Sequence, residues 1–220
     1  MLRLMKYLKP YIPIILITIA LLFVQAYANL ALPDYMSYIV NVGIQQGGME
    51  NAVSVAIRQS EMDKLTLFMS PEEKALVQQA YTLVDRSSPD YAKNLALYPA
   101  LANQPVYVRR PLTQEEIDQL NPVMGQAFLA VSGIQQMLAN PQQAAGMAQS
   151  LGFDLSKIPP GVDPFSLLAQ LPSSQLSQIR DAVDRRFAVM GESMINQSAV
   201  VAVKAEYQAL GMDTGRIQTD

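Results

Sequence analysis

The side chains that most often carry out chemistry are missing from this chain, which contains no cysteine and no histidine. Thiol nucleophiles, disulfides and thiolate metal sites are therefore excluded, as are the commonest general base and the commonest zinc ligand. The carboxylates of the 19 Asp and Glu residues could still carry out acid–base chemistry, so these absences do not exclude an active site. An enzyme that acts through carboxylates is nevertheless the least favoured of the three hypotheses considered for this chain.

One group of acidic residues is close enough in sequence to suggest a metal site, namely Glu115, Glu116 and Asp118. The preceding Thr113 completes a capping-box pattern, Thr-Gln-Glu-Glu, which is typical of a helix start. Acidic side chains are also favoured there by the helix dipole. We therefore expect a structural role for this group and assign no catalytic, cofactor-binding or metal-binding residue anywhere in the chain.

Two basic pairs, Arg109-Arg110 and Arg185-Arg186, are candidates for contact with anionic lipid or a partner. Solvated or ion-paired surface is the favoured role, since such pairs are common there. The net charge of −3 gives no bias toward nucleic acid, and no nucleic-acid partner is expected. Asn196-Gln197-Ser198 is a glycosylation sequon, but it lies within a predicted helix.

The N-terminal region predicts a membrane-spanning helix. No charged residue occurs from Pro10 through Pro33, and 24 helical residues extend about 36 Å, against about 30 Å of bilayer hydrocarbon. Arg3, Lys6 and Lys9 precede this stretch, which places the N-terminus in the cytoplasm and the rest of the chain outside. The expected location is therefore the cell membrane, with residues after about 46 extracytoplasmic.

Two polar residues, Gln25 and Asn29, lie in or near this apolar segment. Polar groups at such positions tend to face other helices, and they could also line a transport path. Helix packing is the favoured role.

A signal peptide is the rival interpretation of the N-terminus. Met1–Lys9 would be its basic region, Ile12–Val24 its apolar region and Ala26-Tyr27-Ala28 its cleavage site. The mature product would then be a secreted or membrane-anchored helical binding module, with Met1–Ala28 as the signal peptide. An uncleaved span is favoured, because the lack of charge continues to Pro33 and Asp34–Ile44 can extend the helix.

The remainder of the chain predicts an all-α domain, broken from the first helix at Gly47-Gly48. A weak helical pattern covers residues 50–68. Capping boxes at Ser70 and Thr113 start two further helices, the first ending near Arg86–Pro89. A long helix is predicted from Ser173 or Ser174 to Leu210, with Gly211 as its stop.

The connecting segments are rich in proline, glycine and glutamine. Ser87–Pro111 is expected to be a connection, in which Pro105–Arg110 has some capacity to form a strand. Short helical turns are expected at Gln142–Leu151 and Pro164–Leu171. The predicted organisation is a lead-in at the membrane surface (1–10), a transmembrane helix with its outer extension (11–46), an extracytoplasmic helical domain (47–210) and an approach to a second span (211–220).

Met1–Gly48 resembles the start of exporter half-transporters of the ATP-binding cassette superfamily, with the type IV or multidrug-exporter architecture. The match consists of the basic lead-in Leu4–Tyr11, the apolar span that follows it, and the closing segment Leu32–Ile44, which reads Leu-Pro-Asp-Tyr-Met-Ser-Tyr-Ile-Val-Asn-Val-Gly-Ile. The tail Glu206–Asp220 is similar to the approach to the second span in members with an enlarged first outer loop. The resemblance covers about a quarter of the chain. It departs from the family in one respect, since more than 150 residues stand where typical members have a short outer loop.

The resemblance implies a longer parent protein with six spans and a C-terminal nucleotide-binding domain that uses ATP and Mg²⁺. It also implies a second half-transporter, identical or different, as partner, together with an unknown exported substrate and the lipid bilayer. No G-x-x-x-x-G-K-[ST] pattern occurs in this chain, so ATP binding by that device is not expected here.

Overall fold

A computed structural model describes residues 11–40, 48–139 and 163–214. The chain divides into two compact units, Met1–Gly48 and Met49–Asp220. We refer to the second unit as the lobe.

The first unit contains one long helix, α1 (Ile12–Tyr38), of 27 residues. Pro13 occupies its first turn, where a missing N–H costs no hydrogen bond, and Pro33 lies inside the helix. None of its residues is buried, and its most apolar window has a mean hydropathy of 2.1. It is the single helix in the described residues that is long and apolar enough to cross a membrane, although a signal sequence would have the same properties.

The lobe combines helices with a small antiparallel sheet. Its described helices are α2 (Gln59–Leu67), α3 (Pro71–Ala80), α4 (Tyr91–Leu97), α5 (Gln114–Ala139), α6 (Pro164–Ala169), α7 (Ser173–Phe187) and α8 (Glu192–Leu210), with a 3-10 turn at Pro99–Ala102. Its strands are β1 (Ala56–Arg58), β2 (Tyr81–Val84) and β3 (Val106–Arg109), and β3 pairs with both of the others.

The prediction of a helical fold is confirmed in its coarse form, but the all-α class omitted the sheet. The helix predicted to reach Arg86–Pro89 ends at Ala80, because the β-branched and aromatic run Tyr81–Val84 continues as β2. Ser87–Pro111 was predicted to be a connection with only some capacity for a strand at Pro105–Arg110, and the structure has a strand there, Val106–Arg109. The weak helical pattern over residues 50–68 is helical only in α2, since Ala56–Arg58 pairs with β3.

Both predicted capping boxes are present. The Ser70 hydroxyl accepts the Glu73 N–H, and the Glu73 carboxylate accepts the Ser70 N–H at 2.7 Å. Thr113 and Glu116 make the same exchange, with the Thr113 N–H donating to Glu116 at 2.8 Å. The two capping-box patterns therefore predicted the starts of α3 and α5 correctly.

The prediction of one long helix from Ser173 or Ser174 to Leu210 is wrong, because the structure has two helices, α7 and α8, over this range. Helix α7 ends at Phe187, its last i to i−4 hydrogen bond is donated by the Ala188 N–H to the Asp184 carbonyl, and Gly191 has an extended backbone (φ −66°, ψ 147°) before α8 begins. Gly211 is the stop that was predicted, with φ at +82°. The predicted turn at Pro164–Leu171 corresponds to α6, whereas the turn at Gln142–Leu151 lies outside the described residues.

Helices α5 and α8 form the most extensively packed pair of elements in the lobe. They pack closely at Gly125, where an added Cβ would make ordinary van der Waals contacts, 3.4 Å from Ile195 Cγ2 and 3.8 Å from Ala199 Cβ. The segment leading into β1 follows the same helix. Glu50 accepts a hydrogen bond from Asn196 Nδ2 near the start of α8, and the Val55 N–H donates to Tyr207 Oη near its end.

Candidate functional site

Three polar residues in the uncharged part of α1 lie on one face of the helix. At about 100° per residue, Thr18, Gln25 and Asn29 fall within roughly 40° of one another, and Tyr27 points the opposite way. The Thr18 hydroxyl donates to the Ile14 carbonyl at 2.9 Å, so its hydrogen bond is made within the helix. In the part of the chain that the structure describes, the exposed carboxamides of Gln25 and Asn29 have no hydrogen-bond partner. We call Thr18, Gln25 and Asn29 the polar face of α1.

The second candidate site is a buried ion pair between Arg58 on β1 and Glu206 on α8, which lie near the beginning and the end of the lobe's sequence. Glu206 on α8 is 3% exposed. The Arg58 guanidinium donates two hydrogen bonds to its carboxylate, from Nε to Oε1 at 2.9 Å and from Nη2 to Oε2 at 2.6 Å. The backbone N–H of Arg58 also donates to Glu206 Oε1 at 2.8 Å. Fork-to-fork pairing of this kind is both strong and directional. It holds α8 against β1.

A second buried carboxylate, Glu61 on α2, lies in the same cluster and is 6% exposed. Lys64 donates to its Oε2 at 2.9 Å, and Gln135 Nε2 on α5 lies 3.2 Å from its Oε1. The Lys64 ammonium also stands 5.3 Å from the ring centroid of Phe165 on α6. The Glu61 side chain therefore connects α2 with α5 and, through Lys64, with α6.

The pKa values of the pair reflect their unequal burial. Burial raises the pKa of Glu206 above its ordinary value, the hydrogen bonds from Arg58 oppose that rise, and the nearby Glu61 charge adds to it. The hydrogen bond to Glu206 raises the pKa of Arg58, which stays charged. Desolvation outweighs pairing for the acid because it is the more deeply buried partner.

A cavity of about 100 Å³ adjoins this cluster between α5 and α8, lined by Ser132, Gln135 and the two glutamates among others. Its volume suits a few water molecules. Both oxygens of Glu206 already accept hydrogen bonds from Arg58, and those of Glu61 accept from Lys64 and Gln135. The arrangement is suited to holding helices together, and it presents no unoccupied carboxylate to a substrate.

The acidic group predicted at a helix start has the structural role expected of it. Glu116 bonds Thr113 and Arg110, with Arg110 Nη2 to Glu116 Oε1 at 2.6 Å. The Arg110 hydrogen bond lowers the pKa of Glu116 to about 2. Asp118 accepts from Gln114 Nε2 at 2.9 Å. Within residues 11–40, 48–139 and 163–214, no group of three or more acidic side chains is placed to hold a metal ion.

The basic pairs have different surroundings. Arg109 donates to the Val53 carbonyl, and Arg110 bonds Glu116 and the Gln79 carbonyl, so the first pair takes part in structure. Arg185 and Arg186 are exposed in the last turn of α7, where the helix dipole favours cations.

The sequon lies inside α8, as predicted. The Asn196 Nδ2 donates to the Glu50 carbonyl at 3.0 Å, and its Oδ1 is buried without a partner among the described residues. A second cavity, of about 320 Å³, lies beside it and is lined in part by Asp118, Asn121 and Gln126. The Asn121 side chain accepts the Ala52 N–H at 2.8 Å, so part of this lining also fixes the segment before β1.

The Arg58–Glu206 pair has no signal in the sequence. The two residues are 148 positions apart, and neither belongs to a local charge pattern. The sequence likewise gives no sign that the Tyr207 hydroxyl accepts a hydrogen bond from the segment before β1.

Comparisons with models of known protein families, with curated proteins and with solved structures find no match to this chain.

Proposed function

We propose that this chain is the N-terminal part of an ATP-driven exporter of the ATP-binding cassette superfamily. In this proposal α1 is the first membrane span, with its N-terminus in the cytoplasm. The lobe lies outside, where it caps or gates the outer opening or recruits a partner. α1 would contribute to the bundle through which the substrate moves by alternating access.

The observation that carries the proposal is the character of α1. It is 27 residues long, none of its residues is buried, and its most apolar window has a mean hydropathy of 2.1. A long, predominantly apolar helix is stable either in a protein core or in a bilayer. The resemblance of Leu4–Tyr11 and Leu32–Ile44 to exporter half-transporters adds the family, and Arg3, Lys6 and Lys9 add the orientation.

ATP and Mg²⁺ would be bound by a nucleotide-binding domain beyond residue 220, and no residue of this chain is assigned to them. The partner would be a second half-transporter. The membrane spans would move the substrate across the bilayer, and the lobe would control access to the outer opening.

The test begins with the full gene product that contains this sequence. Further apolar spans and a phosphate-binding loop after Asp220 are expected, together with ATP hydrolysis that is lost when the loop lysine is replaced. A gene product that stops shortly after Asp220 would remove the exporter proposal.

Topology is tested separately in the chain itself, which has no cysteine and so offers a clean background for labelling. Single cysteines at Ser87 and Lys93, both exposed in the lobe, should react with a membrane-impermeant maleimide added to intact cells. A cysteine at Met5 should react only after the cells are permeabilised. The reverse pattern would show that the orientation is wrong.

A secreted or membrane-anchored helical binding module is the second candidate function. The lobe favours it because residues Met49–Asp220 form a compact unit with its own core, separate from the first unit. Mass spectrometry of the mature protein distinguishes the two. A soluble product beginning at Asn29 would support the module, and membrane-bound protein that retains Met1–Lys9 would support the span.

A further inference from the structure

We infer that the cavity beside Asn196 binds a small organic cation, a primary ammonium ion with a short hydrocarbon part. This cavity has a volume of about 320 Å³ and is lined by Asp118, Asn121, Pro122 and Gln126 on α5 and by Ile195 and Asn196 on α8. We call it the Asp118 cavity. All six residues belong to the lobe, so the inference goes beyond the proposed function and does not require α1 to span a membrane.

The charge of the lining favours a cation. Asp118 is exposed, and Gln114 Nε2 donates to its Oδ1 at 2.9 Å. Its Oδ2 accepts no hydrogen bond from the described part of the chain. No lysine or arginine occurs among the described lining residues, so an anion would be repelled by Asp118 without a compensating positive charge. A cation, in contrast, can pair with a carboxylate oxygen that the fold leaves available.

A proline inside α5 leaves a second acceptor at the same residue. Pro122 has no N–H, so the Asp118 carbonyl lacks the hydrogen-bond donor that the residue four positions later supplies in a regular helix. Asp118 and Pro122 both line the cavity. Asp118 therefore brings two acceptors to this region, one of them ionised.

The Asn196 side chain strengthens the preference for positive charge. Its Nδ2 donates to the Glu50 carbonyl at 3.0 Å, which fixes the orientation of the amide, because Oδ1 in that place would meet another acceptor. Oδ1 is then buried with no partner among the described residues. Its partial negative charge is uncompensated, and in a medium of low dielectric constant it attracts a nearby cation without direct contact.

The chemistry of the lining favours an ammonium ion over a metal ion. Calcium takes about six to eight oxygen ligands, usually with several carboxylates among them, whereas the described lining has one carboxylate. A primary ammonium group carries three donor hydrogens and no acceptor, which suits the acceptors of Asp118. The volume of about 320 Å³ is in the range of small-molecule sites, and Pro122 and Ile195 offer an apolar surface to the hydrocarbon part.

The test is isothermal titration calorimetry of the full chain in a nonionic detergent, at neutral pH and low ionic strength. Butylammonium should bind at one site per chain. It should bind at least about fivefold more tightly than butyltrimethylammonium, which has the same charge but no N–H donor, and about tenfold more tightly than uncharged 1-butanol. Equal binding of the three compounds, or tighter binding of calcium chloride titrated in parallel, would overturn the inference.

The site is located with variants of the lining. Asp118→Asn should weaken butylammonium binding about tenfold, because it removes the charge and keeps the shape of the side chain. Glu115→Gln is the matched control, since it removes the same charge about one turn earlier from an exposed residue outside the described lining. It should change the affinity less than about twofold, because water and salt screen the charge at that distance.

A third variant separates binding from stability. Pro122→Ala returns an N–H to the position four residues after Asp118 and should weaken binding about twofold to fivefold, because the Asp118 carbonyl regains a donor within the helix. The melting temperature should not fall, since Pro122 is exposed and alanine is the better helix former.

Full affinity in both Asp118→Asn and Pro122→Ala would show that butylammonium binds elsewhere and would overturn the site. If Asp118→Asn instead lowers the melting temperature, Pro122→Ala alone decides, and undiminished affinity in that variant is again the contrary result. None of these outcomes changes the proposed function, which is tested by the spans and the phosphate-binding loop.

Discussion

Arg58 and Glu206 are 148 residues apart in the chain, yet their side chains meet fork to fork, with Arg58 Nη2 2.6 Å from Glu206 Oε2. The acid is 3% exposed at its side chain and the base 25%. This difference in burial makes the two partners unequal under mutation.

Replacing the base should therefore harm the lobe more than replacing the acid. Arg58→Met leaves an unpaired carboxylate in the interior and should destabilise the lobe by about 3 kcal/mol, at the low end of the range for breaking buried pairs, because Arg58 lies at an open edge. Glu206→Gln leaves a guanidinium that reaches water and should cost about 1–2 kcal/mol. Urea unfolding of the detergent-solubilised chain, followed by circular dichroism, measures both. Equal losses would show that burial does not decide the outcome.

The deficit of Arg58→Met should depend on pH. Burial raises the pKa of Glu206, so the folded lobe takes up that proton more readily than the unfolded chain does. Without Arg58, the charged Glu206 carboxylate destabilises the folded lobe, and this destabilisation is greatest at high pH. As the pH falls toward the unfolded-state pKa of Glu206, about 4.5, the buried carboxylate is protonated and the destabilisation is lost. Unfolding midpoints from pH 8 to pH 5 should show the variant approaching the parent. A constant gap across this range would contradict the argument.

Glu116 should give the opposite pH dependence. The Arg110 hydrogen bond lowers its pKa to about 2, so the stability that it contributes is present above its unfolded pKa of about 4.5 and is lost as the pH falls from there toward 2. Glu116→Gln should remove this acid-sensitive component from unfolding curves recorded between pH 5 and pH 2. Glu115→Gln, in the same turn, is the control and should keep the parent's profile.

Gly211 should not tolerate a side chain. Its φ of +82° is strained for other residues, and an added Cβ would lie 3.0 Å from Pro99 Cβ. Gly211→Ala should destabilise the lobe by about 1–3 kcal/mol. Gly133→Ala is the matched control: this glycine is helical with no atom within 4 Å of the added Cβ, so the change should stabilise by about 0.5–1 kcal/mol. Thermal unfolding of the two variants measures both effects. An unchanged melting temperature for Gly211→Ala would show that the positive φ at the end of α8 is not strained by a side chain.

Tyr207 should protect the segment that precedes β1. Its hydroxyl accepts the Val55 N–H at 2.8 Å, and Tyr207→Phe leaves that donor without this bond. A loss of about 1–2 kcal/mol is expected. Hydrogen exchange read out by mass spectrometry should show faster exchange in residues 50–58 and little change in α3. Unaltered exchange near Val55 would mean that other contacts hold the segment.

Local features of this fold could be predicted from the sequence because their causes are local. The capping boxes at Ser70 and Thr113, the stop at Gly211 and the apolar helix α1 all depend on residues within a few positions of one another. Strand β1 could not be predicted in this way, because three residues are too few to show an alternating pattern and its pairing partner lies some 50 positions away.

The same limit applies to the residues of the two candidate sites. Gln25 and Asn29 were recognisable because a polar residue is conspicuous in an apolar run. Arg58, Glu61 and Glu206 were not, since each resembles an ordinary surface charge until the fold buries it. The break between α7 and α8 was missed because Gly191 by itself is a weak helix terminator when apolar periodicity continues on both sides.

The chain joins the lobe and leaves it at different places. Glu50 is fastened to Asn196 near the beginning of α8, and the backbone departs after Gly211 at the far tip of the same helix, about 21 Å further on at 1.5 Å per residue. α8 is therefore a rigid spacer inside the lobe, holding the segment that begins near Glu50 and the residues that follow Gly211 at opposite ends of one helix.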